Sequence, residues 1–219
     1  MSGGDEKQDG IVPNNHLGNV YDKYHTRNPI ARRLMRGFLN SVTTMFQSVR
    51  PCRVLEVGCG EGHLSNHLLN SVSSITHMEA CDLSLDRVVD DYRSRISFRV
   101  GSAYDLTYAS QSFDLVACCE VLEHLENPEA AMKELARVAK GFVLVSTPRE
   151  PIWRILNLAR GKYWSSLGNT PGHIQHFSSR SLVALAEAHL KIIEIRQPLP
   201  WTLILGVPHS ASDDKASGS

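Results

Sequence analysis

Three glycines at alternate positions, Gly58, Gly60 and Gly62, follow a short aliphatic run and stand just after an acidic residue, Glu56. Glycine allows a tight turn and lets bare backbone approach a ligand closely. A carboxylate beside such a turn would repel a pyrophosphate but would attract an ammonium or a sulfonium group. The dinucleotide spacing G-x-G-x-x-G would also need glycine where His63 stands. The turn is therefore predicted to bind a cationic ligand, with a tight turn that binds nothing as the alternative.

A second acidic residue follows the glycines at a spacing that is typical of nucleotide-binding folds. Asp82 comes about twenty residues after them, at the end of a strand-like run that begins at Ile75. An acid at this place accepts hydrogen bonds from ribose hydroxyls, and its charge strengthens those bonds. Aspartate before a helix is also a common N-cap. Asp82 is therefore a candidate ribose ligand, with a structural N-cap as the alternative.

These residues require strands and helices that alternate along the chain. Buried strands are predicted at 53–58, 75–82, 97–101, 113–119 and 141–147. Helices are predicted between them at 62–71, 84–94 and 128–139. Such alternation implies a parallel sheet that is covered by helices on both faces. The glycine turn and Asp82 are then expected to meet at the carboxyl edge of this sheet.

Further elements precede and follow this alternation. A helix is predicted over 29–49, and another is predicted to begin after Ser178. Two more strands are predicted at 192–195 and 202–205. The helix over 128–139 carries end signals that consist of an N-cap, a first-position proline and a glycine after the end: Asn127, Pro128 and Gly141.

The amino-acid composition limits the cellular compartments and the kinds of partner that are expected for this protein. Lys plus Arg equals Asp plus Glu at 23 each, so the formal net charge of the 219 residues is zero. Non-specific binding to nucleic acid needs a positive field, which this balance does not supply. The five cysteines lack C-x-x-C metal spacing, and most fall within predicted strands. With no apolar leader and no membrane-length apolar run, a cytoplasmic protein without nucleic-acid, membrane or metal partners is predicted.

The pattern Glu-x-Gly-x-Gly-x-Gly, taken with Asp82, resembles class I S-adenosylmethionine-dependent methyltransferases, over roughly residues 50–207. The resemblance implies an α/β, Rossmann-like fold with a seven-stranded, mostly parallel sheet, helices on both faces and a closing antiparallel strand. It also implies an enzyme whose cofactor is S-adenosyl-L-methionine. Within the family, the chain resembles the small-molecule branch, which consists of the quinone-, sugar- and natural-product O-methyltransferases. Residues 171–178 resemble a short Gly-His motif that some of these enzymes carry before the last helix.

The same resemblance assigns cofactor-binding roles along the carboxyl edge. Residues 100–106 are similar to the loop that holds the adenine, although Ser102 stands where the family usually has aspartate. Residues 119–125 are similar to the loop beside the methionine part of the cofactor. Tyr21 and Tyr24 resemble tyrosines that close over the cofactor, with core packing as the alternative. The implied cofactor-binding residues are Glu56, Gly58, Cys59, Gly60, Gly62, Asp82, Leu83, Ser102, Ala103, Glu120, Tyr21 and Tyr24.

Residues 148–177 form a long insertion where a short connection would suffice, and such insertions are usually functional. Its His173 and His176 are candidate general bases for an alcohol acceptor, because histidine titrates near neutral pH. A loop hydrogen bond is the alternative for both. His124 is a third candidate that the resemblance places near the cofactor, where a structural hydrogen bond is the favoured alternative. The predicted substrate-binding residues are Trp153, Tyr163, Trp164 and Arg149. For Arg149, a solvated charge is the favoured alternative.

The chain is predicted to have three parts. Residues 1–50 supply an N-terminal segment and a helix that cover the cofactor, 51–207 form the methyltransferase domain, and 208–219 form a disordered tail. The predicted reaction is methyl transfer to an oxygen of a small-molecule metabolite or natural product. The alternatives are N- or C-methylation of a metabolite or a protein side chain. A non-catalytic cofactor-binding subunit is less favoured, because a scaffold needs no aromatic insertion.

Overall fold

A seven-stranded sheet organises the part of the chain that the computed structural model describes, residues 28–159 and 174–209. Its strands are β1 (Arg53–Val57), β2 (His77–Asp82), β3 (Ser97–Val100), β4 (Phe113–Cys119), β5 (Ala139–Pro148), β6 (Leu190–Arg196) and β7 (Trp201–Pro208). Their order across the sheet is β3-β2-β1-β4-β5-β7-β6. Only β7 pairs antiparallel with its neighbours, β5 and β6. The predicted fold class, including the closing antiparallel strand, is confirmed.

Helices cover both faces of this sheet. They are α1 (Pro29–Val49), α2 (His63–Ser71), α3 (Pro128–Val138), α4 (Ile152–Ala159) and α5 (Ser179–Glu187). Apolar residues of α1 and α2 share one buried cluster, and those of α3 and α5 share the other. The strand β1 supplies both clusters by alternation, since Val54 faces the first and Leu55 and Val57 face the second. A sheet buried on both faces explains why most residues of its central strands are apolar.

The first helix, α1, is part of this layered core. Asn28 caps it by accepting hydrogen bonds from the backbone N–H groups of Ile30 and Ala31, and Pro29 occupies its first turn. The helix ends at Val49, and its C-cap residue, Arg50, has a left-handed backbone. Its buried face consists of Met35, Phe38, Val42, Met45 and Phe46. The boundary predicted after residue 50 therefore does not separate α1 from the core of the domain.

The helix predicted over 84–94 is wrong. The segment is mostly irregular, and only Asp90–Ser94 forms a 3₁₀ turn. The Ser84 hydroxyl accepts a hydrogen bond from the Asp86 backbone N–H, which favours a turn over a helix. The N–H of Val89 donates to the carbonyl oxygen of Glu61 in the glycine turn instead of to a helical partner. The segment is therefore held by the loop that it packs against.

The role predicted for Gly141 is also wrong. The helix α3 ends at Val138, and β5 begins at the next residue without a glycine cap. Gly141 lies inside β5, where a Cβ atom would stand 2.7 Å from the carbonyl oxygen of Asp114. The glycine allows β5 to lie close to β4, and it does not end the helix.

Within the described ranges, no helix is both long enough and apolar enough to cross a membrane.

Candidate functional site

The predicted cofactor residues converge at the carboxyl edge of the sheet. The strands β2, β1 and β4 are neighbours, and Asp82, the glycine turn and Glu120 stand at their respective carboxyl ends. The N–H groups of Gly58 and Cys59 donate to the carbonyl oxygen of Cys81 at 2.8 and 3.1 Å. These two bonds tie the beginning of the glycine turn to the end of β2.

The three glycines of the turn are required for different reasons. All have positive φ angles, of 78° at Gly58, 54° at Gly60 and 83° at Gly62. A Cβ atom on Gly58 would lie 2.2 Å from Cγ2 of Val121, and one on Gly62 would lie 2.8 Å from Cζ of Phe98. A Cβ atom on Gly60 would meet no atom within 4 Å. The protein packs against the first and third glycines, but it leaves open space beside Gly60.

Asp82 lies next to Gly60, and its carboxylate accepts two backbone hydrogen bonds there. Its Oδ2 accepts a hydrogen bond from the Gly60 N–H at 2.8 Å, and its Oδ1 accepts one from the Leu83 N–H at 2.7 Å. A carboxylate can accept about four hydrogen bonds, so these two leave acceptor positions for ribose hydroxyls. The Leu83 side chain is 60% exposed next to it. Asp82 is thus a turn-forming residue whose carboxylate still has the chemistry of a ribose ligand.

Glu56 lies beneath the turn and is only 3% exposed. Its Oε2 accepts a hydrogen bond from the Ser65 hydroxyl of α2, which is also buried. Burial raises the pKa of Glu56 to about 7, assisted by the charge of Asp82 and opposed by the hydrogen bond from Ser65. Glu56 therefore connects the end of β1 to α2. Sequence reasoning missed Ser65, although a serine next to the apolar Leu64 at a buried helix position was a signal.

The loop after β3 folds on itself beside Asp82. The Gly101 N–H donates to the Asp82 carbonyl oxygen at 2.9 Å. The Ser102 Oγ accepts from the Tyr104 N–H at 3.2 Å, and the Ser102 carbonyl oxygen accepts from the Asp105 N–H at 3.1 Å. Ala103, by contrast, is buried in the core. The structure therefore brings Ser102 to the edge beside Asp82, where its hydroxyl shapes its own loop.

Glu120, directly after β4, has a left-handed backbone with φ of 61°. Its N–H donates to the Ser146 carbonyl oxygen at 3.1 Å. Its Oε2 accepts a hydrogen bond from the indole N–H of Trp201 at 2.7 Å. A non-glycine residue in this region of backbone space is strained, and such strain clusters at functional sites. Sequence reasoning missed Trp201, because it lies 81 residues further along the chain.

Parts of the insertion are visible at the same edge. Trp153 in α4 is half-buried and packs on Trp201, with 6.0 Å between their ring centroids. The Arg149 side chain donates to Oε1 of Gln197 at 2.8 Å. His176 is exposed. Burial raises the pKa of nearby Glu150, opposed by the hydrogen bond from the Arg154 N–H and by the charges of His176 and Arg154. Five predicted residues lie outside the described ranges: Tyr21, Tyr24, Tyr163, Trp164 and His173.

The remaining candidate base, His124, ends a 3₁₀ turn over Leu122–His124. Its backbone N–H donates to the Val121 carbonyl oxygen at 2.9 Å, so the turn follows Glu120 closely. The carbonyl oxygen of Glu123 in the same turn accepts from the N–H groups of Ile174 and Gln175, both at 3.0 Å. The turn after β4 therefore anchors the end of the insertion.

The donor and acceptor groups at this edge fit a nucleoside cofactor that carries positive charge. Open space lies beside the bare backbone of Gly60, and Asp82 supplies a carboxylate for hydroxyl groups. Glu120 supplies a second carboxylate on the far side of the glycine turn. Carboxylates on both sides would repel a pyrophosphate and attract an ammonium or sulfonium group. Within residues 28–159 and 174–209, no group of three His, Cys, Asp or Glu residues is placed to hold a metal ion.

The fold and this edge define the protein as an α/β cofactor-binding protein of the Rossmann-like class. A model of the methyltransferase domain family matches residues 24–192, which is well over half of the chain. The chain therefore belongs to the methyltransferase domain family. Its enzyme class is that of the S-adenosylmethionine-dependent methyltransferases, and S-adenosylmethionine is the cofactor of that class.

Similar proteins act on different acceptors. A ubiquinone biosynthesis O-methyltransferase from Hydrogenovibrio crunogenus is 31% identical over 108 residues, which cover 47% of this chain and 45% of that protein. Ajmaline N-methyltransferase from Rauvolfia serpentina is 31% identical over 98 residues, which cover 41% and 33%. The aligned part of the chain thus spans less than half the length of either relative.

A solved structure supports the fold. Magnesium protoporphyrin IX methyltransferase from Synechocystis, solved with bound SAH (S-adenosylhomocysteine), superposes with a TM-score of 0.61 at 17% identity. The superposition covers 84% of this chain and 89% of that one.

Proposed function

We propose that this protein transfers a methyl group from S-adenosylmethionine to an oxygen atom of a small-molecule acceptor. The observation that carries the proposal is the open space beside Gly60, next to the Asp82 carboxylate. A glycine whose Cβ position is empty of protein atoms, in a turn with positive φ, is what close approach of a ligand to backbone requires.

The cofactor-binding roles follow from the chemistry at each strand end. Asp82 would accept hydrogen bonds from the ribose hydroxyls, and Leu83 would offer an apolar surface to the adenine. Ser102 would contribute a hydroxyl on the adenine side. Glu120 would attract the cationic methionine part, while buried Glu56 would hold the turn in place through Ser65. S-adenosylmethionine, when bound, supplies a methyl group that its sulfonium already activates.

The protein's remaining tasks are to orient the acceptor, exclude water and accept a proton. An alcohol or phenol must lose its proton on methylation, which calls for a base near neutral pH. His176 lies in the segment that packs against the turn after β4, and histidine has the ordinary pKa best suited to this role. His173 and His124 remain candidates for the same role. Trp153 and Arg149, together with Tyr163 and Trp164, would form the acceptor side.

An oxygen acceptor is favoured because one relative is a ubiquinone biosynthesis O-methyltransferase, whose name states that it methylates oxygen. Nitrogen is the second candidate, since the ajmaline enzyme is equally identical over a similar length. An amine acceptor with a free electron pair would need less help from a base, so the two candidates differ in their dependence on histidine.

Calorimetry with S-adenosylhomocysteine tests the cofactor site. We expect wild-type protein to bind it and Asp82→Ala to lose at least tenfold in affinity, because charged hydrogen bonds are worth roughly 1.5–3 kcal/mol. Gly37→Ala is the matched control, since it adds a methyl group in α1, where the nearest atom is 3.9 Å away. Binding of NADH without any S-adenosylhomocysteine signal would overturn the methyltransferase proposal.

Label transfer from tritiated S-adenosylmethionine to catechol and to tryptamine tests the acceptor and the base. For a hydroxyl acceptor, His173→Ala or His176→Ala should lower the rate by roughly 10²–10⁴ while S-adenosylhomocysteine affinity stays constant. Transfer to tryptamine alone would assign the protein to nitrogen. Full activity of both single variants and of the double variant would exclude histidine base catalysis.

A further inference from the structure

The indole of Trp201 stands at the meeting point of three elements that are distant in sequence. It begins β7, is 4% exposed, and packs on Phe38 of α1 with ring centroids 5.0 Å apart. Trp153 of α4 lies on it at 6.0 Å. Its one polar group, the indole N–H, donates to Oε2 of Glu120 at 2.7 Å. The aromatic packing thus fixes the indole, and the indole fixes one oxygen of the carboxylate.

Glu120 is constrained from its backbone as well. Its φ of 61° is unusual for glutamate, and the bond from its N–H to the Ser146 carbonyl oxygen holds it there. The hydroxyl of Ser146 also approaches Oε1 of Glu120, at 3.5 Å. Strain of this kind persists only where the surroundings over-determine the conformation. A half-buried carboxylate is therefore held in a defined place by groups from β5 and β7.

That place lies across the glycine turn from Asp82. Asp82 ends β2, the turn follows β1, and Glu120 follows β4, so the two strand ends that carry these acids lie two strand spacings of about 4.8 Å each apart. Val121, the neighbour of Glu120, lies against Gly58 of the turn. A cofactor with its ribose on Asp82 would then present its amino-acid end towards Glu120.

We propose that Trp201 is a positioning residue, which holds the Glu120 carboxylate to receive the α-ammonium group of the cofactor's amino-acid end. The proposal rests on the proposed function, because it needs the cofactor at this edge. Trp201 itself touches Glu120 and the aromatic cluster, and its effect on the ligand passes through the carboxylate. The ligand chemistry is a primary ammonium, which a fixed carboxylate attracts more strongly than a mobile one.

Two ligands separate this role from a general structural role. S-adenosylhomocysteine carries the amino-acid end, and 5′-methylthioadenosine has the same nucleoside and sulfur without it. Trp201→Phe keeps a ring between Phe38 and Trp153 but removes the N–H. Calorimetry should show about tenfold weaker binding of S-adenosylhomocysteine and less than twofold change for 5′-methylthioadenosine. Asp82→Ala should weaken both ligands, because both carry the ribose.

Further variants make the result independent of the stability of Trp201→Phe. Glu120→Asp keeps the charge but shortens the side chain by one methylene, so it should also weaken S-adenosylhomocysteine selectively. Adding Trp201→Phe to Glu120→Gln should cause little further loss of S-adenosylhomocysteine affinity, because the charged carboxylate that attracts the ammonium group is already absent. Phe46→Leu, a buried α1 substitution in the same apolar cluster, is the control that lowers stability and leaves the ratio of the two affinities unchanged.

Equal weakening of both ligands in Trp201→Phe would overturn the positioning role, and so would unchanged binding of both. If wild-type protein binds neither ligand, the proposed function itself fails, which this design distinguishes from failure of the Trp201 proposal.

Discussion

Gly60 is the residue at which protein packing and ligand binding can be told apart. The Cβ position meets no protein atom within 4 Å, so a side chain there costs the fold only the strain of its positive φ. We expect Gly60→Ala to lower the free energy of unfolding by roughly 1 kcal/mol and S-adenosylhomocysteine affinity by tenfold or more. Urea unfolding and calorimetry measure the two effects separately. Native affinity in Gly60→Ala would show that the open space is not the cofactor site.

Gly62 supplies the contrast. A Cβ atom there would stand 2.8 Å from the Phe98 ring, so Gly62→Ala should cost stability as well as affinity.

Glu56 predicts how stability depends on pH. Its pKa is raised to about 7 in the folded protein from an ordinary value of 4.5, so the folded state holds a proton that the unfolded state loses between these values. The free energy of unfolding should therefore fall as pH rises from about 4.5 to about 7, by on the order of 3 kcal/mol, and stay level above. Glu56→Gln introduces a side chain that is neutral at every pH and can still accept a hydrogen bond from the Ser65 hydroxyl. Urea unfolding at several pH values should show this slope in wild type and not in the variant; identical slopes would refute the assignment.

At the scale of elements, the contact between β4 and β5 depends on Gly141. A methyl group there would stand 2.7 Å from a backbone oxygen of Asp114, an atom that cannot rotate away. We expect Gly141→Ala to lower the free energy of unfolding by about 1–3 kcal/mol, the usual cost of overpacking. Thermal unfolding followed by circular dichroism checks this value. Gly37→Ala in α1 is the matched control and should be neutral or stabilising, because alanine favours a helix and has room there. An unchanged midpoint for Gly141→Ala would show that the strands separate at little cost.

At the scale of the whole molecule, α1 decides where the folding unit begins. Five of its residues are buried in the cluster that also contains residues of β1, α2 and β7. A chain that starts at residue 51 should therefore lose cooperative unfolding, while a chain that starts at residue 28 should keep it. If Tyr21 and Tyr24 close over the cofactor, the chain from residue 28 should bind S-adenosylhomocysteine more weakly than the full chain. Near-ultraviolet circular dichroism and calorimetry test these outcomes, and a cooperative chain from residue 51 would contradict the first.

The sequence by itself determined the strands, most helices and the residues of the glycine turn. These features are local, because each depends only on residues that are close together in the sequence. They are the apolar periodicity, the end caps and the spacing of Glu56, Gly58, Gly60 and Gly62. The mostly parallel sheet with its closing antiparallel strand followed from the resemblance and is confirmed, whereas the order of the strands comes from the structure. Local patterns failed where a segment depends on contacts elsewhere. The segment over 84–94 is irregular because Val89 bonds to the glycine turn, a contact that no periodicity reveals.

Only the tertiary structure decided which polar side chains act together. Ser65 reaches Glu56 because α2 folds back over β1, and Trp201 reaches Glu120 because β7 inserts beside β5. It also distinguished the three glycines, since only the folded neighbours show that Val121 and Phe98 occupy two of the positions and that the third is open. The physical reason is that hydrogen bonds and packing depend on distance in space, while sequence patterns report only the preferences of nearby residues.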